Sequence, residues 1–596
     1  MGRFKSIKWF LKKSWYKYII AILLTILSVV LDVVKPKLVG QVIDLIGLSE
    51  ITFANFTLLM IIIAIVFISR FVVSIFKRII SGHLFHSIYY ELKIRFMNKV
   101  LIQDSTFFTK HHSGDLMNRA TADTFQMANN STQFLLSIFE VILMIGISAV
   151  MMFTIHPLLA IYSIIPLPFI FLVVYKIRPY ISKNWRLVRK KNSELSDITM
   201  ESVQHVKLIR SFVNEEKDYN RLDNVAKECY NIEKKAVYLR SVFGPTFRLC
   251  TIISQMVAFI FGSYCVMNQE ITVGELITFN LYLAQFSSPM IQLGNQMAMF
   301  VQSKVAFDRI NEIMDSLPDV KDKNNAKDIN TFETIKFDNF TFRYPETDID
   351  ILNNFSLTIN KGETIGIVGK TGSGKTTLIK QFLRQYPASD NFTIDSKSIN
   401  DITKSSIRSL VCYVPQEHAL FSRTIEQNLE IGKSKDSSLT LEDAVLMADF
   451  KKDIDFLPDG LNTIVGEYGV TLSGGQKQRL SIARALYKDS EILILDDSLS
   501  AVDGTTEANI IANLKKIRSH KTNLIVAHRL SAVEHADKII VIDNGSVKEI
   551  GTHQELMANK GWYFEQYQKQ LMGGEDNEQE WSLSKLSTRS CFKKSC

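Results

Sequence analysis

Eight residues, Gly369-Lys370-Thr371-Gly372-Ser373-Gly374-Lys375-Thr376, combine what a polyphosphate requires of a protein surface. The glycines let backbone N–H groups wrap phosphate oxygens at a helix N-terminus, Lys375 reaches the terminal phosphates, and the Thr376 hydroxyl ligates Mg²⁺. The apolar run Ile365-Gly366-Ile367-Val368 before them predicts a strand, and Leu378-Ile379-Lys380-Gln381 after them predicts a helix. Strand, glycine loop and helix in that order make a phosphate-binding loop. Farther along, Leu472-Ser473-Gly474-Gly475-Gln476 opens the helical run Lys477–Leu486, with Ser473 as a natural N-cap. A second helix N-terminus is thereby aimed at anions. A second apolar strand, Ile492-Leu493-Ile494-Leu495, ends in the paired carboxylates Asp496-Asp497.

In this order and spacing the segments resemble the motifs of ATP-binding cassette (ABC) proteins, and the resemblance covers nearly the whole chain. It implies ATP and Mg²⁺ as the bound species. By the same resemblance Tyr344 stacks on adenine, Gly369 through Thr376 and Thr377 hold the nucleotide, and Thr376, Gln416 and Asp496 hold the metal. Gln416 also senses the attacking water. Ser500-Ala501-Val502-Asp503 resembles the D-loop, and His528, closing the strand Leu524-Ile525-Val526-Ala527, resembles the switch histidine. In this family two cassettes pack head to tail, so Leu472, Ser473, Gly474, Gly475 and Gln476 would act on the ATP of a partner chain. The fold implied is an all-α six-helix transmembrane domain followed by an α/β P-loop cassette with β and helical subdomains.

One position departs from the family pattern. Asp497 stands where an active cassette carries the glutamate that orients water toward the γ-phosphate. Aspartate is one methylene shorter, which draws the carboxylate back by about 1.5 Å, and a misplacement of roughly 1 Å can cost on the order of a hundredfold in rate. With Asp497, His528 and Gln416 as the catalytic set, ATP is expected to bind well and turn over slowly. A chain with a poor base and an intact signature resembles the catalytically degenerate subunit of bacterial heterodimeric multidrug exporters.

Composition accounts for the remaining length. At 596 residues and 46% hydrophobic the chain is too long for one domain and too apolar for an ordinary soluble protein. Six stretches are long enough to cross a hydrocarbon core of roughly 30 Å: Tyr18–Val39, Phe56–Ile75, Phe134–Phe153, Leu158–Tyr175, Phe243–Met267 and Leu276–Gly294. The expected division is a transmembrane domain over 1–305, a linker over 306–330, a nucleotide-binding domain over 331–570 and a disordered tail over 571–596. Two long inner segments, from Lys77 to Arg119 and from Lys176 to Arg240, carry helix formers at helical spacing and predict spans that continue beyond the membrane. Lys110–Asp115 and Val206–Phe212 resemble the turns by which ABC exporters touch their cassettes, and Gly466-Glu467-Tyr468-Gly469 resembles the loop that receives them. His111-His112 reads as an exposed pair without metal, since no carboxylate or cysteine stands at ligand spacing.

Lysine and arginine crowd the N-terminus and both inner segments and are absent from the short links Asp44–Asn55, Thr154–Pro157 and Asn268–Thr272. The positive-inside rule then puts both termini and the cassette in the cytoplasm of a cell-membrane protein, the first span serving as its own insertion signal. Juxtamembrane bias and anionic lipid account for the net charge of +8, with no nucleic-acid partner required. The six cysteines form no C-x-x-C pair and read as reduced thiols. Asp32 and Glu140, ionisable groups at membrane depth, mark a candidate substrate pathway for polar or cationic cargo, the alternative being that they face water near a helix end or pair with the partner subunit. The function expected is an ATP-driven exporter subunit that pairs with a second, different half-transporter and moves small amphiphiles outward. The alternatives are a homodimeric exporter of lipid, peptide or thiol cargo, and a membrane-anchored regulator gated by nucleotide.

Overall fold

A computed structural model describes residues 5–47, 53–241, 243–345, 347–434, 437–466, 472–500 and 502–572. The chain forms two units, one of Met1–Leu101 with Ser113–Ser316, the other of Ile102–His112 with Leu317–Cys596.

The first unit is helical. In chain order its helices are α1 (Lys5–Gly47) and α2 (Phe53–Leu101); then, after a short α3 (Ser105–Lys110) that belongs to the second unit, α4 (Ser113–Ile155), α5 (Pro157–Ile164), α6 (Pro166–Gln204), α7 (Val206–Ser211), α8 (Glu215–Ser241), α9 (Phe243–Met267), α10 (Val273–Gln285) and α11 (Ser287–Asp315). Two π-type turns, Arg119–Asp123 and Asn130–Phe134, interrupt α4. Its core joins Val29 and Val33 of α1 to Met152, Leu159, Phe279, Tyr282 and Leu283, while Ile61, Ile65, Ile68 and Phe71 of α2 stay exposed. An apolar outer face of this kind is what lipid requires. At 1.5 Å per residue the 49 residues of α2 extend about 74 Å, more than twice a hydrocarbon core.

Among the described residues four helical stretches are long and apolar enough to cross a membrane: Lys12–Gly47, Ala54–Leu101, Ser113–Ile155 and Arg248–Met267. The fourth and sixth expected spans each contain a one-residue junction, at Ile165 and Phe286, where the backbone stays right-handed helical. A proline follows each junction: Pro166 begins α6, and Pro289 stands four residues after Gln285, the end of α10. A proline cannot donate to the carbonyl four residues back and its ring crowds that group.

Pro36 does the same inside α1, and here the vacated Asp32 carbonyl and two carbonyls close to it receive side-chain donors. The Asp32 carbonyl accepts from Gln285 Nε2 at 3.1 Å, the Val33 carbonyl from the buried Tyr282 hydroxyl at 3.0 Å, and the Pro36 carbonyl from Thr278 Oγ1 at 3.2 Å. All three donors come from α10. Gly40 and Gly274 make this approach feasible, because a Cβ on Gly274 would lie 2.1 Å from the Gly40 carbonyl oxygen. Close contact through small residues is a common solution where helices meet in lipid.

The second unit carries two sheets. The mainly parallel one runs β10-β9-β3-β8-β7-β6, with β3 (Thr364–Gly369), β6 (Val411–Val414), β7 (Ile492–Asp496), β8 (Thr522–Val526), β9 (Lys538–Asp543) and an antiparallel edge β10 (Ser546–Gly551). The antiparallel one runs β2-β1-β4-β5, built on β1 (Thr334–Arg343), β2 (Asp350–Asn360), β4 (Phe392–Ile394) and β5 (Lys397–Ser398). Phe337, Phe340, Phe355 and Phe392 pack with Ile365, Ile367 and Leu378 in one core. A second core gathers Leu480, Ile482 and Leu486 with Leu493 and Leu495. Central strands such as β3 and β7 are buried along nearly their whole length, as a parallel sheet covered on both faces requires. Helix α11 runs through the start of the segment expected as a linker, and Lys327 forms an isolated bridge to Ile402.

Candidate functional site

The carboxyl ends of β3 and β7 lie in one sheet with β8 between them, so the loops that leave them share a crevice. Gly369, Gly372 and Gly374 hold φ of +148°, +82° and +106°. These left-handed conformations carry the loop from β3 into the helix Lys375–Phe382, and at Gly369 a Cβ would come within 2.1 Å of the Ile542 carbonyl oxygen. The Lys375 ammonium folds back onto the loop, donating to the Gly369 carbonyl at 2.8 Å and the Lys370 carbonyl at 2.9 Å. Burial pushes its pKa down, while Asp497 and Asp496 oppose the shift. Ser373 Oγ is buried with no hydrogen-bond partner among the described residues. A phosphate in the loop would answer both the lysine and this hydroxyl.

Asp496 is 1% exposed at the end of β7. Burial pushes its carboxyl pKa up; the hydrogen bonds it receives, from Tyr413 at 3.2 Å and Thr376 at 3.5 Å, only partly offset that cost. A buried carboxylate beside a hydroxyl and the Gln416 amide is an oxygen-donor set of the kind Mg²⁺ takes, so these residues fit the ion. Gln416 Nε2 lies 3.4 Å from Asp497 Oδ2. Asp497 has φ of +48°, a region that aspartate tolerates better than most residues. Its N–H donates to the Val526 carbonyl at 2.9 Å, and its carbonyl accepts from Ser500 Oγ at 3.0 Å. The backbone that carries this carboxylate is fixed from both sides.

Tyr344 follows β1. Its hydroxyl meets Thr377 Oγ1 at 3.0 Å, Tyr386 packs edge-on at 5.1 Å, and the Lys380 ammonium stands 5.6 Å from the ring centroid. A cavity of about 300 Å³ opens beside it, lined by Tyr344, Pro345, Thr347 and Tyr386 together with Thr106, Thr109 and Lys110 of α3. Helix α3 belongs to the same unit: its N-cap Asp104 accepts from Val320 N–H at 2.8 Å, and Ser105 N–H donates to the Gln385 carbonyl at 3.4 Å.

The signature forms its own cap. Ser473 Oγ accepts from Gln476 N–H at 3.3 Å while Gln476 Oε1 accepts from Ser473 N–H at 2.9 Å, a reciprocal capping box on the helix Gly474–Lys488. Asp453 anchors that helix through Gln476 at 3.3 Å and a paired contact with Arg479 at 2.6 and 2.9 Å. Leu472 is buried, Ser473 and Gly474 are exposed, and nothing lies within 4 Å of where a Gly474 Cβ would be. Asp503 caps the helix Gly504–Ile517, and its hydrogen bonds from Thr505 and Thr506 hold its carboxyl well below the usual range. Ala501 and Glu467-Tyr468-Gly469 lie outside the described residues.

Lys375, Thr376, Gln416, Asp496 and Asp497 are therefore brought together. His528 sits just past β8 with its side chain exposed. Sequence reasoning missed its supports: Gln570 donates to the His528 carbonyl and accepts from Leu530 N–H, each at 2.9 Å. Arg529 reaches the Val502 carbonyl at 3.4 Å and so joins the segment expected as the D-loop to the residues around His528. Tyr413 and Asp453 were missed as well, because each meets its partner only through tertiary packing. Asp32 and Glu140 both have intrachain cationic partners. Asp32 is paired with Lys35 at 2.7 Å and Arg70 at 2.8 Å, and Glu140 with Lys77 at 2.7 Å.

Residues 18–290 match the ABC transporter transmembrane region family, and residues 352–500 match the ABC transporter family. The chain is 39% identical over 574 residues to the Bacillus subtilis "Probable multidrug resistance ABC transporter ATP-binding/permease protein YheI", covering 95% of this chain and 97% of that one. It is 32% identical over 577 residues to the Escherichia coli "Multidrug resistance-like ATP-binding protein MdlA", covering 96% and 97%. A solved structure of a bacterial Atm1-family ABC exporter with ATP bound shares the fold, with a TM-score of 0.80, 24% identity and coverage of 94% of this chain and 98% of that one.

Proposed function

Because this chain belongs to the ABC transporter family, with a transmembrane region fused to an ABC ATPase, we propose that it is one half of a multidrug-type exporter that pairs with a different half-transporter. Its phosphate loop and the partner's signature would enclose one ATP, and its own signature would close over the other. The main support is the signature itself. Ser473 and Gly474 present a capped helix N-terminus to open space while Lys375 and Asp496 are gathered on the sheet. A helix start so preorganised and exposed suits an anion delivered by a second molecule. Mg²⁺, held by Thr376, Asp496 and Gln416, would neutralise phosphate charge, and Lys375 would exchange loop carbonyls for phosphate oxygens.

The site built on this chain is the slow one in this reading, because Asp497 sets its carboxylate short on a fixed backbone. The cargo is a small amphiphile, in keeping with the names of the relatives. The paired state of Asp32 and Glu140 alters the expected cargo chemistry: Asp32 with Lys35 and Arg70 sums to one positive charge, and Glu140 with Lys77 to none, so neither cluster selects cations. Both termini and the cassette face the cytoplasm, in keeping with the lysine and arginine bias. A homodimer with Asp497 as a working base is the second reading, favoured by the 3.4 Å contact that Asp497 still makes with Gln416. Affinity purification from the native membrane separates them: two similar chains in equal amount are expected, and a single chain with full cargo-stimulated ATPase overturns the heterodimer.

A further inference from the structure

In the first unit a histidine from the α4–α5 turn, a cysteine from the last turn of α9 and a carboxylate from the α9–α10 turn converge. His156 Nε2 is 3.2 Å from Glu270 Oε2, and the ligand atoms of His156, Cys265 and Glu270 all lie within 4.8 Å of one another. Each is set in place by a helix cap. His156 is the N-cap of α5, its Nδ1 accepting from Leu159 N–H at 3.2 Å with Pro157 following, so the ring is oriented with Nε2 toward the cluster. Helix α9 ends in a Schellman turn: Gln269 has φ of +60°, its N–H donates to the Val266 carbonyl at 3.0 Å, and Glu270 N–H donates to the Cys265 carbonyl at 2.9 Å. That turn folds the chain back so that Glu270 stands over Cys265, five residues earlier. Cys265 is 1% exposed, whereas about half of the Glu270 side chain is open to solvent.

We propose that His156, Cys265 and Glu270 form a binding site for a zinc-type divalent cation. Bond lengths of about 2.0–2.3 Å put the ligand atoms of a tetrahedral site roughly 3.4–3.6 Å apart. The histidine and glutamate stand near that spacing at 3.2 Å, and the thiol lies within 4.8 Å of both, so a shift of about 1 Å or less closes the site. Thiolate with imidazole selects a borderline cation such as Zn²⁺ over Mg²⁺ or Ca²⁺, and the exposed side leaves the fourth position to water. Without metal Nε2 carries the ring proton and donates to Glu270. With metal that position is taken, the ring proton moves to Nδ1 at the expense of the cap bond to Leu159, and the cysteine proton is released to solvent. The bound ion would tie the α4–α5 turn to the α9–α10 turn. Which side of the membrane supplies it follows from the orientation proposed above; binding itself does not depend on that orientation.

The test is Co²⁺ titration of the purified, detergent-solubilised full chain, with Cys591→Ser and Cys596→Ser to remove the tail thiols. The expected result is a thiolate-to-metal charge-transfer band that saturates at one Co²⁺ per chain and is displaced by Zn²⁺. Cys265→Ser abolishes the band, and His156→Ala and Glu270→Gln each weaken binding by about tenfold or more. A wild-type chain with no saturable band overturns the proposal without reliance on any variant, as does a band that survives Cys265→Ser.

Discussion

Asp497→Asn is the substitution on which the asymmetric reading of the ATPase rests. The carboxylate begins one methylene short of a glutamate, by about 1.5 Å, and its backbone cannot creep forward because the Val526 and Ser500 hydrogen bonds hold it on both sides. A shortfall above 1 Å lowers a positioned-base reaction by on the order of a hundredfold, or about 2.7 kcal/mol of barrier. If a partner site of normal geometry runs a hundred times faster, the Asp497 site supplies about 1% of total turnover. Replacing its carboxylate by an amide should then leave steady-state ATPase unchanged within about twofold, whereas the amide at the equivalent partner position should remove two or more orders of magnitude. Asp497→Glu should speed single-turnover hydrolysis at this site alone. Quench-flow measurement of bound [γ-³²P]ATP in the purified complex reads each case. A tenfold or greater steady-state loss from Asp497→Asn by itself would show a working base and refute the reasoning.

Ser473→Arg sets a bulky cation on the exposed signature cap and should cut the ATPase of the complex at least tenfold, about 1.4 kcal/mol; retention of more than half the turnover excludes this signature from the fast site. Lys77→Met strands the Glu140 carboxylate and should lower stability by about 1–3 kcal/mol, with Glu140→Gln added to it recovering most of the loss in a thermal-unfolding scan. His535 should give the cassette an acid-sensitive step. Burial lowers its pKa to about 4 from an ordinary value of 6.5. The unfolded chain therefore binds the extra proton between those values, so the contribution is complete above pH 6.5 and is lost as pH falls toward 4, by at most about 1.4 kcal/mol per pH unit. His535→Gln should flatten that stretch of the stability curve measured by denaturant unfolding.

The phosphate loop was legible because its chemistry is local: Gly369 to Thr376 is continuous, and its strand and helix adjoin it. The same holds for the caps at Ser473 and Asp503, where residue type decides the hydrogen bond. Long-range partners were not legible. Tyr413 finds Asp496 across 83 residues because β6 and β7 are neighbours, and nothing in either segment announces that pairing. The Arg70 partner of Asp32 and the Lys77 partner of Glu140 were not legible, since each lies a helix away. The junctions inside the fourth and sixth expected spans were not legible either: a hydropathy count is blind to a proline that leaves composition nearly unchanged but costs the helix a hydrogen bond.

Pro36 and the donors of α10 should also leave a trace in inheritance. Substituting the proline alone would give Asp32 back its own helical partner and leave the Gln285 amide competing for an occupied acceptor. Substituting Gln285 alone would strand the Asp32 carbonyl, which has no helical donor, in a setting poor in water. Each single step is penalised while the joint change is tolerated, so residues 36 and 285 are expected to be gained or lost together among related chains. A library recombining α1 of one relative with α10 of another should recover viable transporters mainly when both members of the seam come from the same parent.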